Sequence, residues 1–537
     1  MNLERGMSAA AILHRLTRHG AALNGNDREL LVAFRPLDPS NRPVPFKRYA
    51  GREPVRLTRD LTLSSAPAAG VLSGAPRGVG EGPWDEERLA QLLFLSNGVS
   101  RVSRSVFGET TYFRTAMSAG NLHPVEIYVV CGDLDGVPAG IHHFAPLEFG
   151  RTELRRGDFR DALAAAAADP RVAEAPVTLV VTGIPWRTAW KYGERGFRHL
   201  YWDAGTMLAN VLALEPSASV RVGFADQPVS RLIGVDGVSE FPLVLVVLDG
   251  SDTRGHREAE EKVGAVEPLD LAVEAMSRAP IEFPLATAAQ RDGDLADATA
   301  VKQWRAAASS LGTPSLVEVN PPTSASDDPI ETVILRRGST RLMRHETVGR
   351  ELLTWGLGIA VRAVPGDVAS DNDATLLQHF VSVHDVEGVA SGSYRLRGGR
   401  LEHGREGQSR DVAAHLCFDQ PLGGDSAYTV FHAADLDEVL GALGSRGYRA
   451  AQLEAGIAAG RLALGAFALG YGATGLTFYD EAVSQHFGTQ AACMLVTSVG
   501  VPAYRNAPGG PPGVPTPLAR FDQLMERLSI QLRRGGL

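Results

Sequence analysis

A chain of 537 residues with 44% apolar and 21% charged residues has ordinary globular composition, which excludes a fibre or a disordered chain and leaves room for several domains. The formal charge is −9, from 53 basic and 62 acidic residues. With no basic tract present, the chain is a poor candidate for sequence-independent nucleic-acid binding, which works by neutralising phosphates, and no nucleic-acid partner is expected. The three cysteines, Cys131, Cys417 and Cys493, show no C-x-x-C spacing, so neither a disulfide framework nor a thiolate zinc site is expected.

Arg15 and Arg18 interrupt the N-terminal segment before a signal-peptide core can form. Helical periodicity marks 85–95, 158–168 and 198–214, the last stopped by Pro216. Short β-branched runs at 125–131, 177–182 and 241–248 predict buried strands, with Pro242 tolerated at a strand beginning. Residues 251–265 are charged and poorly periodic and mark a linker, and 318–329 reads as an internal loop. Residues 456–478 form the longest apolar stretch. Arg461 and recurrent glycines break it, so it predicts a buried helix over 456–469 running into a turn, with Gly460, Gly465 and Gly470 allowing close backbone approach. A strand at 493–499, a Pro/Gly-rich segment at 507–516 and an amphipathic helix over 517–534 complete the chain. The expectation is a cytoplasmic protein with no membrane partner.

Three patterns recur in order. Gly136-Val137-x-x-Gly140-x-His142 returns as Gly388-Val389-x-x-Gly392-x-Tyr394. Arg195-Gly196-Phe197-Arg198 with Asp203-Ala204-Gly205 returns as Arg446-Gly447-Tyr448-Arg449 with Glu454-Ala455-Gly456. Asp226-x-x-Val229-Ser230-x-x-x-Gly234 returns as Asp480-x-x-Val483-Ser484-x-x-x-Gly488. Collinear matches at nearly constant offset point to duplication. Two mixed α/β domains, 1–258 and 259–537, are expected to pair as an intramolecular pseudo-dimer.

Residues 114–128 combine small side chains, the Ser118 hydroxyl, the Asn121 carboxamide and Pro124 just before a strand. Such a segment can offer Ser118, Ala119, Gly120, Asn121 and His123 to a flat heteroaromatic ring, or be an ordinary loop. Arg336-Arg337-Gly338-Ser339-Thr340-Arg341 concentrates three guanidinium groups and two hydroxyls, enough to hold a phosphate monoester, or to form a solvated basic turn. His142-His143 lacks a third ligand at metal spacing and no H-E-x-x-H occurs, so no metal is expected. No G-x-G-x-x-G opens a helix after a strand and there is no Walker loop, which removes Rossmann and NTPase readings.

Residues 114–128 resemble the P-S-x-x-N-x-(Q/H)-P segment of FMN-dependent nitroreductases, and in particular of SagB-type azoline dehydrogenases, with Met117 in place of the usual proline. His14 to His19, Leu37 to Tyr49, Leu93 to Arg101, Lys191 to Arg198 and Gly223 to Asp226 resemble that branch in family order. The resemblance implies an α+β fold, helices around a mostly antiparallel sheet, in two tandem copies. It implies that Arg336, Arg337, Ser339 and Arg341, with Arg505, grip an FMN phosphate. The first copy has no such segment, Arg101 and Arg104 being its nearest substitutes, and the second has nothing like Ser118-x-x-Asn121. One site shared between copies follows, and one FMN per chain. Ala473, Thr474, Gly475 and Leu476 are expected as a turn offering backbone N–H groups to the ring. Lys191 and Tyr192 resemble the family's catalytic pair. A nearby ammonium lowers a phenol's pKa and desolvation lowers that of a lysine, so either is a candidate base. The implied activity is dehydrogenation of azolines to azoles in peptide natural-product maturation, with dioxygen reoxidising the flavin. The implied partners are a peptide or carrier-bound azoline substrate and a cyclodehydratase. The alternatives are an NAD(P)H-dependent nitro or quinone reductase, and a non-catalytic scaffold of a peptide-modifying complex.

Overall fold

The computed structural model describes residues 7–518 apart from 34, 81, 105–108, 250–265, 315–318, 370–373 and 408. In the first half, β-branched runs bounded by turn residues form β1 (Val55–Arg56), β2 (Val125–Cys131), β3 (Gly140–Ala145), β4 (Gly150–Arg156), β5 (Val177–Gly183), β6 (Ser219–Arg221) and β7 (Phe241–Leu248). They join in the order β1-β4-β3-β2-β5-β7-β6, and every neighbouring pair is antiparallel. β2 is buried along its whole length because helices cover both faces of the sheet. Ile127, Val129 and Cys131 enter a core continuous with the second half, while Tyr128 and Val130 enter a separate outer core with Leu163, Val172 and Ile233.

The second half supplies β8 (Met343–Arg344), β9 (Leu377–Val383), β10 (Gly392–Arg397), β11 (Arg400–Glu406), β12 (Tyr428–Ala434), β13 (Gly472–Leu476) and β14 (Ala492–Pro502). Their order is β8-β14-β12-β9-β10-β11, with β13 also paired to β14. Without the edge strands β1 and β8, the succession β4-β3-β2-β5-β7-β6 recurs as β11-β10-β9-β12-β14-β13. The repeat seen in the sequence is therefore a repeat of topology.

Ten helices position the site: α1 (Ala9–Leu16), α2 (Ala68–Ser73), α3 (Glu86–Asn97), α4 (Pro185–Tyr192), α5 (Gly196–Leu214), α6 (Asp226–Ile233), α7 (Pro284–Arg291), α8 (Ile330–Arg336), α9 (Leu436–Ala468) and α10 (Asp480–Phe487). α5 and α9 cross at the centre of the molecule. A Cβ built on Gly205 would lie 2.3 Å from the Leu453 carbonyl oxygen, and one on Gly456 would lie 2.6 Å from that of Trp202. The two repeated x-Ala-Gly motifs thus form each other's contact.

The other repeated motifs pair reciprocally across the halves. Arg198 and Arg195 donate to Asp480 at 2.7 and 3.0 Å, and Arg446 and Arg449 reach Asp226 at 2.6 and 3.4 Å. Burial pushes the Asp480 carboxyl up, but Arg198 and then Arg195 outweigh it and hold it well below the carboxylate range.

Several elements differ from the sequence reading. α9 begins at Leu436, twenty residues before the periodic stretch, because Asp435 caps its first turn by accepting from Glu438 N–H and Gly444 absorbs a break at φ +60°. Gly472–Leu476 is a strand, since β14 pairs with it residue for residue. Gly460 does meet a neighbouring backbone, at Thr206, but Gly470 ends α9 at φ +79° with nothing near its Cβ position. Pro517 and Leu518 belong to a strand (Thr516–Leu518) parallel to Val99–Arg104, whose antiparallel partner is Thr110–Arg114. The rest of the expected C-terminal helix and the 251–265 linker lie outside the described residues. Among the described residues no helix is long and apolar enough to cross a membrane.

Candidate active site

The segment from Ser118 to His123 folds back on itself. Gly120, Asn121 and His123 adopt positive φ of 62°, 57° and 47°, a conformation that non-glycine residues hold only when their surroundings impose it. Here the Asn121 amide donates to Tyr112 O at 2.8 Å and its oxygen lies 2.9 Å from His123 Nε2. The His123 N–H donates to Ser118 Oγ at 2.8 Å. The Ser118 hydroxyl in turn donates to Asp203 Oδ2 at 2.6 Å, and the Ala119 N–H donates to Asp203 Oδ1 at 3.0 Å. Burial lifts the Asp203 carboxyl to a pKa of about 7 against the opposing effect of these two bonds. Burial and then Arg114 push His123 well below the usual histidine value, so its ring is neutral.

Lys191 and Tyr192 end α4 beside this loop. A Cβ built on Gly120 would lie 2.8 Å from the Tyr192 hydroxyl, so glycine, which also suits the φ of 62°, lets the phenol close against the loop. The Tyr192 ring stacks on His199 with centroids 4.2 Å apart, and Lys191 Nζ stands 5.4 Å from the Tyr192 ring centroid. The phenol pKa moves opposite to the expectation of an ammonium-lowered value. Burial and then Asp203 raise it, with Arg341 opposing them, to about 12.

The second half reaches the same place from the other side. The Arg337 guanidinium, 4% exposed, donates to Thr115 O at 2.6 Å, three residues before Ser118. Among the described residues its Nε has no hydrogen-bond partner, nor has the buried Thr340 Oγ1. Burial lowers the Arg337 pKa to about 9, with Arg101 adding to it, and burial lowers Arg101 to about 10. Arg101 donates to the carbonyl oxygens of Leu335, Arg337 and Ala507, so it belongs to this wall rather than to a separate one. Ser339 lies alongside Ala473, the Thr340 N–H donates to Ala473 O at 3.0 Å, and the Arg341 N–H donates to Tyr504 Oη at 3.0 Å. Arg505 follows Tyr504 and is exposed. Arg336 turns aside to Asp328 at 2.7 Å and Phe467 O at 3.1 Å.

Residues 84–250 match the Nitroreductase family. A Methanocaldococcus jannaschii protein named as a nitroreductase is 30% identical over 169 residues, which are 30% of this chain and 80% of that one. The chain belongs to the nitroreductase family. The crystal structure of an Anabaena variabilis ATCC 29413 protein, also named as a nitroreductase, superposes with a TM-score of 0.69 at 24% identity, over 92% of this chain and all of the other. The fold is thus α+β, two tandem nitroreductase-like domains paired within one chain. Family membership makes it an oxidoreductase.

Two features of this nitroreductase-family chain were not legible in advance. Asp203 stood in the sequence only as part of a repeat, although an aspartate inside an otherwise apolar helix was the available signal. In the reciprocal position, Glu454 accepts from the Thr375 hydroxyl and, at 3.0 Å, from the Leu376 N–H, and burial lifts its pKa to about 7. Thr375-Leu376 therefore stands where Ser118-Ala119 stands in the first half, so that segment does have a counterpart. His142 and His143 are buried core residues whose Nε2 atoms bond to Pro138 O and to Glu126, and no metal-binding cluster occurs among the described residues.

Proposed function

We propose that the chain is an FMN-dependent oxidoreductase that dehydrogenates azoline rings to azoles in peptide natural-product maturation, with one FMN per chain. The observation that carries this reading is the convergence of Arg337, the 118–123 loop and Tyr192 from two halves of one chain on one site. The residues fit the cofactor. Two desolvated guanidiniums, Arg337 and Arg101, stand together with no carboxylate partner among the described residues, and an orphaned Nε and the Thr340 hydroxyl are donors that a phosphate would satisfy. Arg337, Ser339 and Arg341, with Arg505, would hold the phosphate, leaving Arg336 to its ion pair with Asp328. Ser118, Ala119, Gly120, Asn121 and the backbone of Ala473, Thr474, Gly475 and Leu476 would hold the ring, with His123 bracing the loop.

When bound, FMN supplies hydride acceptance, with dioxygen restoring its oxidised form. The chain must take up the proton that leaves the azoline together with the hydride. A phenol held at about 12 keeps its own proton at neutral pH, so Tyr192 orients the ring by donating a hydrogen bond, and the proton passes to Lys191 beside it, which accepts one only as the uncharged amine. Asp203 fixes the loop through Ser118 and Ala119.

The test is aerobic incubation of the FMN-loaded chain with a thiazoline peptide. A product lighter by two hydrogens, with hydrogen peroxide formed, is expected, and Lys191→Ala should slow it about 10²- to 10⁴-fold while the flavin spectrum stays. Family membership itself favours a second reading, an NAD(P)H-dependent nitro or quinone reductase. Rapid bleaching of the flavin by NADPH, with no azoline oxidation, would decide for it.

A further inference from the structure

A cavity of about 1340 Å³ opens beside Lys191 and Tyr192. Ordinary small-molecule pockets hold about 300–1,000 Å³, so this one has room for several residues of peptide rather than for one heterocycle. Its back is aromatic and buried, formed by Trp186, Phe283 and His199 with the half-buried Tyr192. Thr477, the residue after β13, also lines it. The cavity therefore adjoins both the Tyr192 contact with Gly120 and the strand from the second half.

The charge of the lining runs against that of the molecule. Six cationic side chains face the cavity against two acidic ones, in a chain of net charge −9. Arg195 is paired with Asp480 and Arg18 with Glu481, while Arg278 stands 3.8 Å from Asp38. Arg28, Arg35 and Lys191, all exposed at the rim, have no carboxylate partner among the described residues. His19, also on the wall, is held neutral, burial and then Arg195 lowering its pKa to about 4.

We propose that this cavity binds an acidic peptide, an inference that rests on the oxidoreductase reading above and names its substrate class. Trp186 and Phe283 receive the ring-bearing residue, and Arg28 and Arg35 hold flanking Asp or Glu carboxylates in charge-assisted, bidentate-capable pairs. The net charge of −9 works against binding such a peptide elsewhere, which favours this mouth.

The experiment is calorimetric titration of the FMN-loaded chain with two synthetic peptides built around an unreactive thiazole, one flanked by Glu and the other by Gln. The Glu peptide is expected to bind about tenfold tighter at low ionic strength, an advantage that salt erodes. The double variant Arg28→Gln, Arg35→Gln should abolish the advantage while flavin absorbance is kept, since both side chains are exposed and neither is among the proposed flavin-binding residues. Equal binding of the two peptides, or a preference unaltered in the double variant, ends the proposal. The readout needs no turnover. Azoline oxidation without the preference therefore defeats only this inference, and the preference without oxidation defeats only the assigned reaction.

Discussion

The Ser118 hydroxyl and the Ala119 N–H both end on Asp203, so one carboxyl sets the shape of the proposed ring-binding loop. With a pKa near 7, it stays protonated in the folded chain over an interval in which the unfolded chain, near 3.9, has already lost the proton. Its contribution to stability is then largest below about pH 4 and declines as pH rises towards 7. The displacement corresponds to about 4 kcal/mol. Asp203→Asn cannot ionise, so its denaturant midpoint should fall less between pH 5 and pH 7 than that of the unaltered chain. Parallel slopes would show that Asp203 does not titrate in that interval. Loss of the ionised carboxylate also removes one of the influences that hold the Tyr192 phenol up. None of this was legible from residue 203 alone, because burial on all sides, which creates the shift, belongs to the fold.

The crossing of α5 over α9 depends on the absence of two side chains. The Cβ position of Gly205 falls 2.3 Å from a carbonyl oxygen of the facing helix, a backbone atom that cannot swing away. Gly205→Ala should therefore cost about 1–3 kcal/mol and, because the proposed site draws residues from both halves, lower FMN affinity as well. Gly441, in α9 but with open space about its Cβ position, provides the control. Gly441→Ala should be neutral or stabilise by up to about 1 kcal/mol through helix propensity. Equal losses at both positions, measured by urea unfolding, would mean that the crossing is not the constraint. Elements followed the sequence closely where burial was continuous. Val125–Cys131 and Phe241–Leu248 have the bounds their apolar runs predict. They departed from it where a tertiary partner decided. β13 looked like a turn from its glycines and became a strand because β14 lies beside it, and the charged first turns of α9 carry no core-facing periodicity.

The duplication was readable because the same interactions are built twice, Arg-Gly-aromatic-Arg against an aspartate in each direction. That each motif's partner is the other copy's Asp-x-x-Val-Ser, rather than its own, becomes visible only once the halves face each other. The same near-symmetry shows why two flavins are not expected. Where Arg337 follows α8 directly, Arg77 stands four residues after α2. Its guanidinium is already committed to Glu331 at 2.6 Å, to Ser64 Oγ at 3.0 Å and to Leu214 O at 2.7 Å, all buried. A carboxylate there neutralises the arginine and excludes a phosphate, the reverse of the unpaired Arg337 and Arg101. Beside Glu454, the cavity lined by Val220, Gly366 and Ala374 measures about 30 Å³, far below the roughly 300 Å³ at which small-molecule pockets begin. Spectroscopic titration of the flavin-free chain with FMN should therefore reach its end point at one equivalent. Arg337→Ala should abolish that uptake rather than halve it, because no second cradle stands in reserve among the described residues. Two equivalents bound, or half the uptake surviving in Arg337→Ala, would mean that the reciprocal site opens in solution and that the halves have not divided the cofactor's contacts between them.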